Sequence, residues 1–471
     1  MEKLRQFLNS AVVYKWLLFL NFLSGLAVFW IFHAETGSDM HTYVGLADGI
    51  RAGNYSYWYF ISDAYPDTFR NPGYPLLLAF FRLFTHSLVP VQLFQLLLYF
   101  CSIGMVLNLI DKFWGALQIK NLFLLLLLPS IHVASYTPSV FPEIVVTFLL
   151  LVIIRIQYFG DKSKWSTYIS SGLLYGILFQ IRPVILFLPF LLAALGIVTE
   201  RKAFPFVKNG VMLILFICTM IPYGMWNKSH HGTFKITSIE GGGGVFHLGY
   251  WSFKLPDYTE NRYWGNYCPR EMISFSDEKD RAANIAAYNA EWDLIDSLTA
   301  PYLTANDSAM IALQPKYPYL FKTFSSGYTQ KREQLLKKLA IEHIKADPVY
   351  YAKEKIYSAI RLWVTGIPVK EFKSAGVARR MYLIYPFIIT GLTFLAGLIF
   401  ITMCFIKNKP YRKLMLPLLL ITLYFGVMHI PFTIQSRYTI PVRFELLLMI
   451  AAAVYFLFPS LSAAKDPAKA G

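Results

Sequence analysis

Residues 121–158 read NLFLLLLLPSIHVASYTPSVFPEIVVTFLLLVIIRIQY, two apolar runs (121–137 and 141–158) in which Glu143, directly after Pro142, is the only acid. Each run is long enough to cross about 30 Å of hydrocarbon as a helix. Working outward, comparable runs recur near 11–33, 88–110, 167–181, 183–199, 207–226, 380–405, 414–432 and 439–458. The expected fold is therefore an all-α polytopic membrane protein, a bundle of about ten transmembrane helices. Composition agrees: over 471 residues, 56% are hydrophobic, 15% are charged and the mean hydropathy is +0.44, which excludes an ordinary soluble globule.

Charge sets the expected orientation. With a cytoplasmic N-terminus, the inside segments carry Lys3 and Arg5, Lys112 and Lys120, Lys162 and Lys164, Arg201, Lys202 and Lys208, Lys407, Lys409, Arg412 and Lys413, then Lys465 and Lys469, as the positive-inside rule requires. Topology and anionic inner-leaflet lipids account for the net charge of +16, so no nucleic-acid partner is expected. The first apolar run is long, ends in Trp30 and His33 and has no small-residue cleavage site, which reads as an uncleaved anchor. Cys101, Cys218 and Cys404 fall in apolar runs, while Cys268 is the lone cysteine of the long polar segment. No disulfide framework or metal-ligand motif is expected, and divalent metal use has no motif to support it.

Three segments fall outside in this topology: 34–86, 227–379 and the turn Gln435-Ser436-Arg437-Tyr438. They divide the chain into a core with the first loop (1–226), a small helical extracytoplasmic domain (227–379) and C-terminal helices with a tail (380–471). In the first loop, Tyr43, Leu46, Ala47 and Ile50 recur at helical spacing, predicting a juxtamembrane helix over 40–52 with Asp39 at its N-terminal cap. Capping and catalysis are both open to that acid. Pro72 and Pro75 stiffen the chain beyond Arg70.

Glu143, Arg182 (in Gln180-Ile181-Arg182-Pro183) and Arg437 stand beside apolar runs, where a charge is costly unless it is paired or faces water. A purely structural Glu143–Arg182 pair competes with a functional one. Gly241 to Gly244 permit close backbone approach, with amides turned toward an anion, or form a mobile loop. Ser276-Asp277 reads as a cap for a helix to about residue 299. A second helix over 331–345 should break at Asp347-Pro348 before a third toward Trp363. His230-His231 reads as a solvated pair.

The strings YVGLADGIRAGNY, FRNPGYPLLLAFF, the Pro-Glu step, GLLYGILFQIRP, IPYGMWNKSHHGTF, GGGGVFHLGY, DPVYYAKEKIYSAIRLW and SRYTIPV together resemble, in order and over most of the chain, bacterial GT-C membrane glycosyltransferases. The nearest branch is similar to the protein O-mannosyltransferase-like and aminoarabinose-transferase-like group. The resemblance implies a GT-C-like bundle in the bacterial inner membrane, an extracytoplasmic site and a polyprenyl-phosphate sugar donor, with Asp39 as base. Relatives place an adjacent acidic pair here, whereas Met40 and His41 follow Asp39, which leaves metal use and the base assignment open.

The expected reaction is direct, inverting transfer to a hydroxyl of a lipid, glycan or protein. A guanidinium holds phosphate bidentately, making Arg182 the first choice for the donor phosphate, with Arg70 and Arg437 next. Glu143 would orient an arginine or a sugar hydroxyl, and His41, Tyr43, Tyr74 and Tyr438 would line the substrate path. Nucleotide sugars are cytoplasmic, so an outside site needs a lipid-carried donor. The alternatives are a transporter or lipid flippase, a polymerase or ligase of lipid-linked oligosaccharide, and a nonenzymatic scaffold.

Overall fold

The apolar runs fold as helices, and the described residues contain no strand. The computed structural model describes residues 2–32, 38–61, 64–200, 204–252, 254–255, 278–317, 323–367, 369–432 and 434–458. Cys268, the Ser276-Asp277 cap, Arg201, Lys202 and the tail lysines lie outside them. Among the described residues, seven helices are long and apolar enough to cross a membrane: Ala11–Phe32, Val89–Phe113, Pro183–Glu200, Phe206–His231, Val377–Lys407, Lys409–His429 and Ser436–Leu457. The chain is an all-α polytopic protein.

The other three expected crossings are helices too, but shorter. Leu117–Leu127 has 11 residues, and Glu143–Phe159 and Trp165–Ile181 have 17 each. At 1.5 Å per residue the last two reach about 25 Å. Pro129 follows the first of them, and a separate turn of helix, Ile131–Ala134, comes next.

The Arg443–Leu457 helix is the axis of the bundle, with every residue from Arg443 to Ala453 buried. Around it the interior is closed by aliphatic and aromatic packing, including Phe444 against Tyr99 and Phe123. Elsewhere two helices meet through small residues. A Cβ on Gly172 would lie 2.6 Å from the Met212 carbonyl oxygen, and one on Gly176 would lie 2.2 Å from Thr219 Oγ1. These glycines, four apart on Trp165–Ile181, let Phe206–Cys218 approach to backbone contact, the packing mode of small-xxx-small pairs in membranes.

The first-loop helix runs Ser38–Arg51, close to expectation. It is tied to the next helix, Gly73–Arg82, by a bidentate pair in which Arg82 Nε and Nη2 donate to the two Asp48 oxygens at 2.5 and 2.7 Å. The helices of the long polar segment include Gly242–Trp251, Glu278–Thr299, Ala305–Leu313, Ser326–Ala346 and Pro348–Trp363. The break falls at Asp347, whose carboxylate accepts from the Tyr350 amide at 2.9 Å, as the Asp-Pro step predicts.

Candidate active site

Asp39 lies inside the first turn of Ser38–Arg51 rather than ahead of it. The expected capping role is corrected by its partners: Arg70 Nη2 donates to Oδ1 at 2.5 Å, and Arg437 Nη2 donates to Oδ2. Both carboxylate oxygens thus go to guanidiniums in charge-assisted bonds.

The pairing continues. Arg437 Nε stands 3.8 Å from Glu143 Oε1, and the same oxygen accepts from Arg182 Nη2. Arg70, Asp39, Arg437, Glu143 and Arg182 thus form one alternating row, with one more cation than anion. The structure brings together five residues from five separate places in the chain. A bare Glu143–Arg182 pair is too small a description, because Arg437 couples it to Asp39.

Burial makes the surplus costly. Glu143 is fully buried, and the other four side chains are 13–20% exposed. Among the described residues, Arg70 Nε, Arg182 Nε, Arg437 Nε and Glu143 Oε2 are buried with no hydrogen-bond partner. An unpaired buried donor costs roughly 1–3 kcal/mol, more when charged. The three guanidinium nitrogens are donors that lack an acceptor, and the glutamate oxygen is an acceptor that lacks a donor.

Burial pushes the Asp39 carboxyl up, but the Arg70 and Arg437 guanidiniums overcome it and hold the group down at about 2. In this arrangement Asp39 is ionised but a weak base.

The aromatic candidates take supporting places. The Arg70 guanidinium lies over Tyr43 at 4.7 Å and Phe69 at 4.4 Å, and Arg182 lies over Tyr438 at 5.5 Å. Tyr74 packs edge-on against Tyr43 and donates its hydroxyl to Gln95 Oε1 at 2.8 Å. Tyr438 stacks on His429. His41 shares the Asp39 helix but lies two residues on, which turns it about 200° around the axis, away from the Asp39 direction.

Sequence reading missed how firmly Arg70 is held. The buried Asp67 Oδ2 accepts from the backbone amides of Phe69 and Arg70 at 3.1 and 2.6 Å. The hydroxyls of Tyr55 and Tyr223 both donate to the Arg70 carbonyl at 3.0 Å. The Asp67 bond to Phe69, two residues on, is an Asx-turn, and an Asp at that spacing was the available signal. Burial raises the Asp67 carboxyl to about 7 against the lowering effect of the Arg70 amide.

The glycine run is a helix start rather than a mobile loop: Gly241 has φ +99° and Gly242–Trp251 is helical. Its amides do face an anion, but one from the protein itself. Gly243 and Gly244 donate to Glu333 Oε2 at 2.6 and 3.3 Å. Nearby, Glu240 accepts from Arg332 and Thr68, each at 2.8 Å, joining this segment to the first loop beside Arg70. His231 is buried rather than solvated, its ring nitrogens within hydrogen-bond reach of Ser326 Oγ and the Asp67 carbonyl.

No protein-family model matches the sequence, and no curated protein matches it. Among solved structures, the chain matches ArnT from Cupriavidus metallidurans bound to undecaprenyl phosphate, with 14% identity over 94% of this chain and 78% of that one and a TM-score of 0.39. The same protein in the apo state matches with 12% identity over 94% and 77%, at a TM-score of 0.38.

Proposed function

We propose that this protein is a membrane glycosyltransferase that moves a sugar from a polyprenyl-phosphate donor to an acceptor hydroxyl at the extracytoplasmic face, with inversion. The observation that carries the reading is the Arg70–Asp39–Arg437–Glu143–Arg182 row, with its surplus positive charge and its unpartnered guanidinium nitrogens. A phosphate bound there takes up the free donors and balances the charge.

In this mechanism the acceptor oxygen attacks the anomeric carbon and the bond from that carbon to the phosphate oxygen breaks. The polyprenyl phosphate leaves with the electron pair, held by Arg182 and Arg437, and the acceptor proton passes to Asp39. Glu143, buried and bound to Arg182, fixes the angle of that guanidinium. Fixed charges aimed at a leaving group act strongly in a dry site.

The weakness of Asp39 as a base in the free site has a use. Donor phosphate competes for Arg70 and Arg437, the two groups that hold the Asp39 carboxyl down. Binding the donor therefore strengthens the base at the moment it is needed, and before that Asp39 stays occupied.

The test is mass spectrometry of lipids and surface glycans from cells with the intact gene, with Asp39→Asn and with the gene deleted. The expected outcome is loss of one sugar from an acceptor, with the lipid-linked donor accumulating in both mutants. Unchanged glycans with altered lipid sidedness would replace transfer by flipping.

A further inference from the structure

A second cluster of ligating side chains lies away from the arginine row. His247 on Gly242–Trp251, Glu291 on Glu278–Thr299 and His343 on Ser326–Ala346 each bring one ligating atom, a ring nitrogen or a carboxylate oxygen, within 4.8 Å of the others. His247 Nε2 is 2.8 Å from Glu291 Oε2, and His343 Nε2 contacts Glu291 Oε1. We propose that these three residues bind one divalent cation of the zinc class, which fastens the three helices together.

Ligand chemistry selects the ion. Two imidazoles and one carboxylate suit zinc, with metal–ligand bonds near 2.0–2.2 Å and a fourth position for water. Ligands of a tetrahedral ion at those lengths stand about 3.3 Å apart, so the present spacing needs only small side-chain shifts. A magnesium- or calcium-type ion would want more oxygens than the cluster offers.

Aromatic neighbours and one indole N–H hold the three side chains in place. Trp251 Nε1 is shared between Glu291 Oε2 at 2.9 Å and His247 Nε2 at 3.2 Å, and an ion on His247 would leave it to Glu291 alone. The His343 ring lies flat on Tyr250, 3° from parallel with centroids 4.4 Å apart, and His247 sits between Tyr288 and Trp292. His247 is 1% exposed, while Glu291 and His343 are 15% and 24% exposed, so an ion and its water reach the cluster from the open side. The three ligands come from distant places in the chain, which is why no spacing motif announced them.

The same helices carry the Gly243–Glu333 and Glu240–Arg332–Thr68 contacts, so the cation would steady the framework leading to Arg70. Its primary effect is on stability.

The experiment uses the full-length protein, purified in detergent on a tag without histidines and without chelator. Metal is measured by elemental mass spectrometry and unfolding by thermal shift, for wild type and for the partly exposed His343→Gln and Glu291→Gln variants. The expected result is about one zinc per chain in wild type, several-fold less in both variants, and a Tm lowered by chelator and restored by zinc in wild type alone. Zinc retained equally by the variants places it elsewhere and overturns the proposal. So does a wild-type protein without zinc whose Tm ignores both chelator and added zinc, which leaves a hydrogen-bonded His–Glu–His cluster.

Discussion

Asp39 stands between two guanidiniums, and that placement makes separable predictions about binding and chemistry. Asp39→Asn keeps the shape but removes the base and weakens the hold on Arg70 and Arg437. Transfer should fall by about 10²–10⁴-fold, the usual worth of a positioned base, while donor affinity stays the same or tightens. Arg182→Ala should do the reverse and chiefly weaken donor binding. Turnover assays paired with equilibrium binding of the lipid donor distinguish the two, and an Asp39→Asn enzyme that turns over normally would remove Asp39 from the mechanism.

Asp67 allows a second test, by pH. Its folded pKa is raised by burial from 3.8 to about 7, so the fold binds its proton more tightly than the unfolded chain does. That contribution to stability is fully present below about pH 4 and is lost as pH rises through about 7. Asp39 has the opposite sign: held down at about 2, its contribution is present above about pH 4 and lost below. Thermal unfolding of Asp67→Asn should therefore lose the decline between pH 4 and 7 while keeping the acid limb, because an amide oxygen can still accept from the Arg70 amide. An unchanged profile would place the titration in another group. Glu143, Arg182 and Arg437 stood out in the sequence because a charge beside an apolar run is expensive and so conspicuous, whereas Asp39 and Arg70 stood out through the first-loop helix, the prolines and the resemblance. Asp67 did not, because it lies in a polar segment where an acid costs nothing until the fold buries it.

At the scale of elements, the sequence located helices better than it located their ends and neighbours. The break at Asp347-Pro348 and the first-loop helix follow from local chemistry, caps and periodicity that adjacent residues carry. The glycine run misled because the partner of its amides, Glu333, lies about ninety residues on in a different helix. Its amides did signal an anion, but nothing local says whose. The same limit hid the packing of Trp165–Ile181 on Phe206–Cys218, although GLLYG over residues 172–176 carries the small-xxx-small signature. A side chain on Gly172 meets the Met212 carbonyl, backbone that cannot swing aside. Gly172→Leu should separate the helices and lower stability by about 1–3 kcal/mol, the range for overpacking. Thermal unfolding in detergent measures it, with Gly210→Ala as control because a Cβ there meets nothing within 4 Å. Equal losses in the two would refute the close-approach argument.

At the scale of the whole molecule, the arginine row constrains the topology by parity. Asp39, Glu143, Arg182 and Arg437 touch one another in sequence, so the chain must cross the membrane an even number of times between any two of them. Between Asp39 and Glu143 lies one long apolar helix, Val89–Phe113. The region of Leu117–Leu127 and Ile131–Ala134 must therefore carry the chain back, short as its helices are. Between Glu143 and Arg182 lie two helices of 17 residues, and they must cross together or not at all. Between Arg182 and Arg437 the described residues hold four long ones, Pro183–Glu200, Phe206–His231, Val377–Lys407 and Lys409–His429, which already balance. The positive-inside rule selects the crossing alternative for the 17-residue pair, since Lys162 and Lys164 occupy the turn between them. In a cysteine-free background, Ser163→Cys should stay hidden from an impermeant maleimide in intact cells and react once the membrane is opened. Thr233→Cys, just past the end of Phe206–His231, should react in both. Labelling of Ser163→Cys in intact cells would mean that the pair does not cross, leaving eight crossings with the arginine row still on one face.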